Sequence, residues 1–92
     1  MITLSAECVL HIPYAQSLKE KRMVARSLID KIRHRFNAAV AETDTQDIHR
    51  TLTLGVAVVS GSYEHAKKMM DEVLQFIREN GSAELLSVEF GV

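Results

Sequence analysis

Two stretches of alternating side chains, residues 2–12 and 50–60, most constrain what this chain can fold into. A period of two places neighbouring residues on opposite faces, so each stretch predicts a β-strand with one face in a core. The second stretch is rich in β-branched residues, which favours a central strand. Pro13 ends the first stretch, because proline cannot donate to a sheet ladder, and Gly61-Ser62 ends the second. The residues expected to face the core are Ile2, Leu4, Ala6, Cys8, Leu10, Ile12, Leu52, Leu54, Val56 and Val58.

An amphipathic helical pattern follows each of these strands. Ser17-Leu18-Lys19-Glu20 has the spacing of a capping box, in which Glu20 donates its N–H to Ser17 and returns its carboxylate to the N–H of the cap. The first helix is predicted to run to about Phe36, and the second over residues 63–79, ending at Asn80-Gly81. The apolar stripes are Val24, Ala25, Leu28, Ile29, Ile32 and Phe36 in the first helix, and Ala66, Met69 or Met70, Val73, Phe76 and Ile77 in the second.

Two shorter segments complete the pattern. Residues 37–44 predict a short strand, and residues 83–91 predict a last strand with Leu86, Val88 and Phe90 facing inward. The resulting order, β-α-β-β-α-β, is that of a ferredoxin-like α+β sandwich, a four-stranded antiparallel sheet with two helices on one face. Because 92 residues is the length of one domain, the sequence predicts a single ferredoxin-like domain over residues 1–92.

Composition excludes several classes of protein. One cysteine excludes a disulfide framework and a multi-cysteine zinc site. A chain that is 47% hydrophobic and 25% charged is typical of a globular domain and not of a disordered tail. No stretch approaches the roughly 20 apolar residues of a membrane span, and the first residues lack the basic region of a signal peptide. We therefore expect a cytoplasmic protein that makes no membrane contact.

The formal net charge of −1 hides a strong asymmetry along the chain. Residues 19–35 hold seven of the eleven cations and only two acids, a net charge of +5, whereas the remainder holds four cations and ten acids, a net charge of −6. Like charges four residues apart, as at Arg22 and Arg26, are unfavourable on a helix, and so are cations in its first turn. Several unfavourable charge placements in one segment are typical of functional sites.

Four of these cations lie within about 60° of one another on a helical wheel, opposite the apolar stripe: Lys19, Arg22, Arg26 and Arg33. Lys21 and Arg35 flank them. Cations at the start of a helix attract anions, and the phosphate of RNA is the obvious one. These six residues are therefore candidate nucleic-acid or anion contacts. The alternative is a solvated basic helix whose arginine stems cover the edge of the core.

No combination of residues points to catalysis, a cofactor or a metal. The four histidines lie on different elements, and none stands beside the serine, cysteine and acid that a triad needs. Cys8 is expected to be a buried, reduced thiol. Acids precede His49, but their placement favours solvated charges that protect a sheet edge over a metal site: these are Glu42, Asp44 and Asp47. We therefore expect a non-enzymatic protein without cofactor or metal.

The open face of the predicted sheet carries no aromatic side chain, which argues against the base stacking that RNA-recognition motifs perform on their sheets. Its small residues, among them Thr53, Gly55 and Ala57, would let a second sheet approach. A homodimer through this face, or by pairing of an edge strand, is therefore an open alternative.

Four segments also carry a family resemblance: Ser17-Leu18-Lys19-Glu20-Lys21-Arg22, Phe36-Asn37-Ala38-Ala39-Val40-Ala41-Glu42, Gln46-Asp47 and Thr53-Leu54-Gly55-Val56-Ala57. Together they resemble the YlxP-like family of small bacterial proteins, which carry a domain of unknown function. Members often have a small hydroxyl residue where Ala39 stands. The resemblance implies a ferredoxin-like fold and a gene often placed between those of translation initiation factor 2 and ribosome-binding factor A. It implies no catalytic residues.

Two hypotheses of function follow. In the first, a non-enzymatic cytoplasmic protein docks on ribosomal RNA, or on a ribosome-associated protein, through its basic first helix. In the second, the chain is a dimeric small-ligand-binding or regulatory module of ferredoxin-like fold.

Overall fold

The computed structural model describes residues 1–91, which form four strands and two helices. Val92, the last residue of the predicted domain over residues 1–92, lies outside the described residues. The elements are β1 (Ile2–His11), α1 (Leu18–Arg35), β2 (Ala39–Asp44), β3 (Thr51–Ser60), α2 (Tyr63–Glu79) and β4 (Glu84–Phe90). Their order confirms the predicted β-α-β-β-α-β arrangement.

The strands form one antiparallel sheet in the order β2-β3-β1-β4. β1 and β3 occupy its centre and pair along their whole length, from Ile2 opposite Ser60 to His11 opposite Thr51. Both helices pack on one face of this sheet, so the chain has the predicted ferredoxin-like fold. The other face has no described helix on it and carries mainly small and polar side chains, together with Val9 and Val59. Thr53 on this face is buried and bonded to Thr45.

The core lies between the helices and the inward face of the two central strands. Most of the inward positions of these strands are buried there, as the alternation predicts, including Cys8 and Leu54. Ile2 and Leu4 at the start of β1 are only partly buried. They pack against the apolar stripes of the helices, of which Leu28, Ile32 and Ile77 are at most 1% exposed. Because fully burying one such aliphatic side chain contributes about 1.5–3 kcal/mol, this layer is the main source of stability.

α1 begins at the predicted cap. The Ser17 hydroxyl accepts a hydrogen bond from the N–H of Glu20 at 3.1 Å. The Glu20 carboxylate accepts from the N–H of Gln16 at 2.6 Å, one residue before the cap, and not from Ser17 as the capping-box pattern predicts. The helix start is therefore fixed on both sides of Ser17.

The inward positions predicted for β4 are partly wrong. A register shift lies opposite Val9 and Leu10 of β1, and it leaves Leu86 without a pairing partner. This bulge changes the alternation, so that Leu85 and Val88 pack against the core while Leu86 is more than half exposed. Phe90, opposite the buried Ala6, is also more than half exposed, because it lies at the end of the strand.

A second bulge brings a side chain over Gly55 on the open face. Thr43 is the extra residue in β2, where the register shifts between Glu42 and Asp44. Its hydroxyl donates to the Glu7 carboxylate of β1 at 2.8 Å, across the intervening β3. A Cβ added at Gly55 would lie 2.5 Å from Cγ2 of Thr43. The absence of a side chain at Gly55 therefore permits this hydrogen bond.

This close approach predicts an energetic coupling between the two positions. Gly55→Ala should force Thr43 to turn away and lose its bond to Glu7, whereas Thr43→Ser keeps the hydroxyl and removes the clashing methyl group. We expect Gly55→Ala to be less favourable by about 1 kcal/mol in the wild-type background than in the Thr43→Ser background. Urea unfolding of the four proteins measures this difference, and equal effects in both backgrounds would contradict the packing described.

Candidate functional site

α1 lies with its apolar stripe on the sheet and its opposite side in solvent. The buried stripe includes Ala25, Leu28 and Ile32, at spacings of three and four. The exposed positions of the whole helix hold six of the eleven cations of the chain. The helix therefore holds the basic side chains on a rigid element, at positions fixed by the packing of its other side.

Three of the predicted contacts share one shallow groove on this outer side: Lys19, Arg22 and Arg26. Met23, Ser27 and Asp30 complete the groove. Within residues 1–91, none of the three cations forms an ion pair or a hydrogen bond. We call these three residues the basic face. Among the described residues, Asp30 is the one acidic residue that lines the same groove.

The prediction that Lys21 contacts an anionic partner is wrong. Its side chain is 0% exposed, and its Nζ lies 2.8 Å from Oε2 of Glu42. The ammonium also donates to the carbonyl of Thr45. A buried ammonium that is already paired cannot reach a phosphate outside the protein. Lys21 instead connects α1 to the β2–β3 hairpin.

Sequence analysis also missed Glu42 as the partner of this lysine. Its Oε2 is buried, and no donor meets it with hydrogen-bond geometry, so its contact with Lys21 is ionic. The spacing offered a signal, because Lys21 stands four residues before Ala25 and so continues the buried stripe of α1. Lys21 and Glu42 belong to the two longest segments of the family resemblance, residues 17–22 and 36–42.

The other two predicted contacts are directed away from the basic face. Nη2 of Arg33 donates to the carbonyl of Val40 at 2.9 Å, so the guanidinium lies against β2. The guanidinium carbon of Arg35 lies 5.2 Å from the ring centroid of Phe76 and 5.7 Å from that of Phe36. At these distances the cation is attracted to both rings. The ring contacts of Arg35 agree with the alternative interpretation, in which arginines cover the edge of the core. Both side chains remain exposed, so a contact of Arg33 or Arg35 with an anion stays a prediction.

The remaining ionisable residues show no catalytic arrangement in the described part of the chain. No group of three or more His, Cys, Asp or Glu side chains there is close enough to hold a metal ion. Nδ1 of His65 lies 2.9 Å from the Ser60 hydroxyl, but no acid is hydrogen-bonded to this pair. Neither described helix is long and apolar enough to cross a membrane.

Cys8 is buried, as predicted. Desolvation by the surrounding core raises the pKa of its thiol from 9.0 to about 11; the charge of Arg78 lowers the pKa and that of Glu7 raises it by smaller amounts. A thiol with such a pKa is almost entirely protonated at neutral pH and is a poor nucleophile.

Comparison with known proteins gives a family but no activity. The family model described as "Protein of unknown function (DUF503)" matches residues 3–90. The chain is 38% identical over 72 residues to the "Uncharacterized protein YlxP" of Bacillus subtilis, which covers 78% of each protein. Among solved structures, the solution NMR structure of a de novo designed protein with ferredoxin fold matches all of this chain and 87% of that one. The TM-score is 0.58 at 18% identity, a likeness that concerns the fold alone.

Proposed function

Since this chain belongs to the DUF503 family, whose function is unknown, we propose its function from the site alone: it docks on the phosphate backbone of RNA through Lys19, Arg22 and Arg26. The observation that carries the proposal is the grouping of three cations in one groove without a partner in the described residues. In this proposal the protein acts in the cytoplasm and catalyses no reaction.

The spacing of the basic face suits a chain of phosphates. Lys19 and Arg26 are seven residues apart, about 10 Å along the helix axis. This length spans a few phosphates of a nucleic acid, in which charges follow one another closely. Such contacts orient a protein on RNA but do not read its sequence.

The charge of the rest of the chain supports a single docking orientation. Residues 19–35 carry a net charge of +5 and the remainder a net charge of −6. A polyanion is therefore attracted to α1 and repelled by the rest of the surface. This asymmetry favours RNA over an uncharged partner, because only a charged partner is oriented by it.

The test is the removal of the three charges. In Lys19→Gln/Arg22→Gln/Arg26→Gln, we expect the affinity for ribosomal RNA to fall on the order of a hundredfold at about 0.1 M salt, because three phosphate contacts are lost. The slope of log affinity against log salt should decrease by about two or more. Fluorescence anisotropy with labelled RNA at several salt concentrations measures both quantities.

The matched control is Lys31→Gln/Lys68→Gln/Arg78→Gln, which removes three charges from exposed positions outside the groove. It should retain most of the affinity and most of the salt dependence. If both triple variants bind equally weakly and with the same salt slope, the attraction depends on net charge and not on the basic face, and the proposal fails.

A further inference from the structure

An exposed aromatic side chain lies on a rigid turn beside the basic face. Tyr14 is 83% exposed and makes no hydrogen bond in the described part of the chain. It belongs to the β1–α1 connection and so lies outside the sheet face, whose lack of aromatic side chains disfavours base stacking there. Tyr14 and Met23, both more than half exposed, line one groove, and adjoining exposed apolar side chains are typical of binding sites.

The turn that presents Tyr14 is held firmly on both sides. Ile12 and Ala15 are buried, and the N–H of Ala15 donates to the carbonyl of Ile12 at 3.3 Å, closing the turn. Pro13 restricts the backbone between them. Arg50 fixes both ends, since its carbonyl accepts from the N–H of Ile12 at 2.9 Å and its Nε donates to the carbonyl of Ala15 at 3.3 Å. The backbone position of Tyr14 is therefore fixed by the fold.

A groove beside Tyr14 adjoins the groove of the basic face. Tyr14, Met23 and Val24 contribute apolar surface to it, and Met23, itself 65% exposed, also lines the basic groove. Glu20 lies in the wall of the Tyr14 groove, where its negative charge disfavours a phosphate. The two neighbouring grooves thus differ in chemistry: one attracts phosphates, and the other offers an aromatic ring and a thioether.

We infer that Tyr14 and Met23 bind one unpaired base of an RNA whose phosphates lie on Lys19, Arg22 and Arg26. This inference rests on the proposed function and specifies its ligand as single-stranded RNA. The adjacent cations, which form no ion pair in the described residues, select a polyanion, and an aromatic ring stacks on any base because every base has a π-face. A duplex keeps its bases inside, so it can use the basic face but not the ring.

The experiment compares a short single-stranded RNA with a fully paired duplex of the same length. Tyr14→Ala should lower the affinity for the single strand at least about fivefold, as expected for the loss of one stacked base, and leave the affinity for the duplex unchanged. Tyr14→Phe keeps the ring and should bind as the wild type does. Tyr63→Ala, which removes the exposed tyrosine of α2, is the matched control and should have no effect.

A spectroscopic readout reports the stacking directly. The chain has no tryptophan and two tyrosines, so Tyr63→Phe leaves Tyr14 as the one tyrosine of the protein. Its fluorescence should be quenched by the single strand and not by the duplex. In Tyr14→Phe, the signal of the remaining tyrosine should not respond to either RNA.

The outcomes separate this inference from the function on which it rests. If the triple charge variant loses RNA but Tyr14→Ala binds the single strand as the wild type does, the base site is overturned and the docking function stands. If Tyr14→Ala weakens duplex and single strand equally, the ring does not distinguish unpaired bases and the inference also fails. If the wild type binds neither RNA, both proposals fail, and an acidic protein would be the partner that the same charges select.

Discussion

Replacing Glu42 by leucine is expected to destabilise the fold by about 3–5 kcal/mol, because the substitution leaves the buried ammonium of Lys21 without its counter-charge. The carbonyl of Thr45 would be its remaining partner. For a domain of this size, a loss of that order is a large part of the total free energy of unfolding. We expect the urea midpoint of Glu42→Leu to fall clearly below that of the wild type.

The same pair makes a sharper prediction as a double-mutant cycle. Lys21→Met replaces the lysine with an apolar side chain of similar length, and together with Glu42→Leu it removes both charges from the interior. Replacing a buried ion pair by apolar residues is often nearly neutral, so the double variant should be more stable than either single variant. The coupling free energy should be about 2 kcal/mol or more.

The matched control is the exposed pair of Lys67 and Asp71 on α2, which lie 2.7 Å apart, four residues apart on one helix. Both side chains are about half exposed. Solvent screens such pairs, so the cycle with Lys67→Met and Asp71→Leu should give a coupling below about 0.5 kcal/mol. Equal coupling in the two cycles would contradict the importance of burial.

This pair also bears on the candidate site. Lys21 lies between Lys19 and Arg22 in the sequence but on the opposite side of α1. The ion pair fixes this turn of the helix to the β2–β3 hairpin, in addition to the cap at Ser17 and the packing of the apolar stripe. If the proposed RNA docking is right, loss of the pair should weaken it by loosening the helix start, with no charge removed from the basic face itself.

Periodicity predicted the fold well wherever elements are long and regular. β1, α1, β3 and α2 each offer many repeats of one pattern, so their extents and buried faces follow from the sequence. The buried face of β4 does not follow from the sequence, because a bulge opposite Val9 and Leu10 adds one residue to the alternation. Leu85, and not Leu86, therefore packs against the core. Sequence alone gives no sign of a bulge that is determined by pairing with a strand some eighty residues away.

The site was predicted less completely, for reasons that concern long side chains. The helical wheel placed Lys19, Arg22 and Arg26 correctly, because their surroundings are solvent. It could not place the charges of Arg33 and Arg35, because the guanidinium group of Arg33 reaches the carbonyl of Val40 on β2 and that of Arg35 reaches the ring of Phe76 on α2. Arginine and lysine stems bend toward such partners, so the position of Cα does not fix the position of the charge.

The burial of Lys21 and the exposure of Tyr14 were not predicted, for two different reasons. Lys21 continues the spacing of the buried stripe, but lysine is rarely buried, and its partner is 21 residues away. Tyr14 lies in a connection between elements, where no periodicity applies and exposure cannot be predicted. Both are determined by the tertiary arrangement of β1, α1 and the β2–β3 hairpin.

The buried thiol of Cys8 predicts a loss of stability in alkaline solution. Its pKa is about 11 in the folded protein against 9.0 for an ordinary cysteine, because burial disfavours the thiolate. The folded state therefore holds its proton more tightly than the unfolded state does. The stability that this preference contributes is fully present below pH 9 and is lost as the pH rises through 11.

The decrease can be isolated with Cys8→Ala. All other groups are the same in the two proteins, so their contributions cancel in the difference. The free energy of unfolding of the wild type minus that of Cys8→Ala should fall by about 2 kcal/mol between pH 8 and pH 11. Urea unfolding at a series of pH values measures it. A difference that does not change with pH would mean that the thiol titrates alike in the folded and unfolded states, and that Cys8 is accessible to water and to thiol reagents in the native protein.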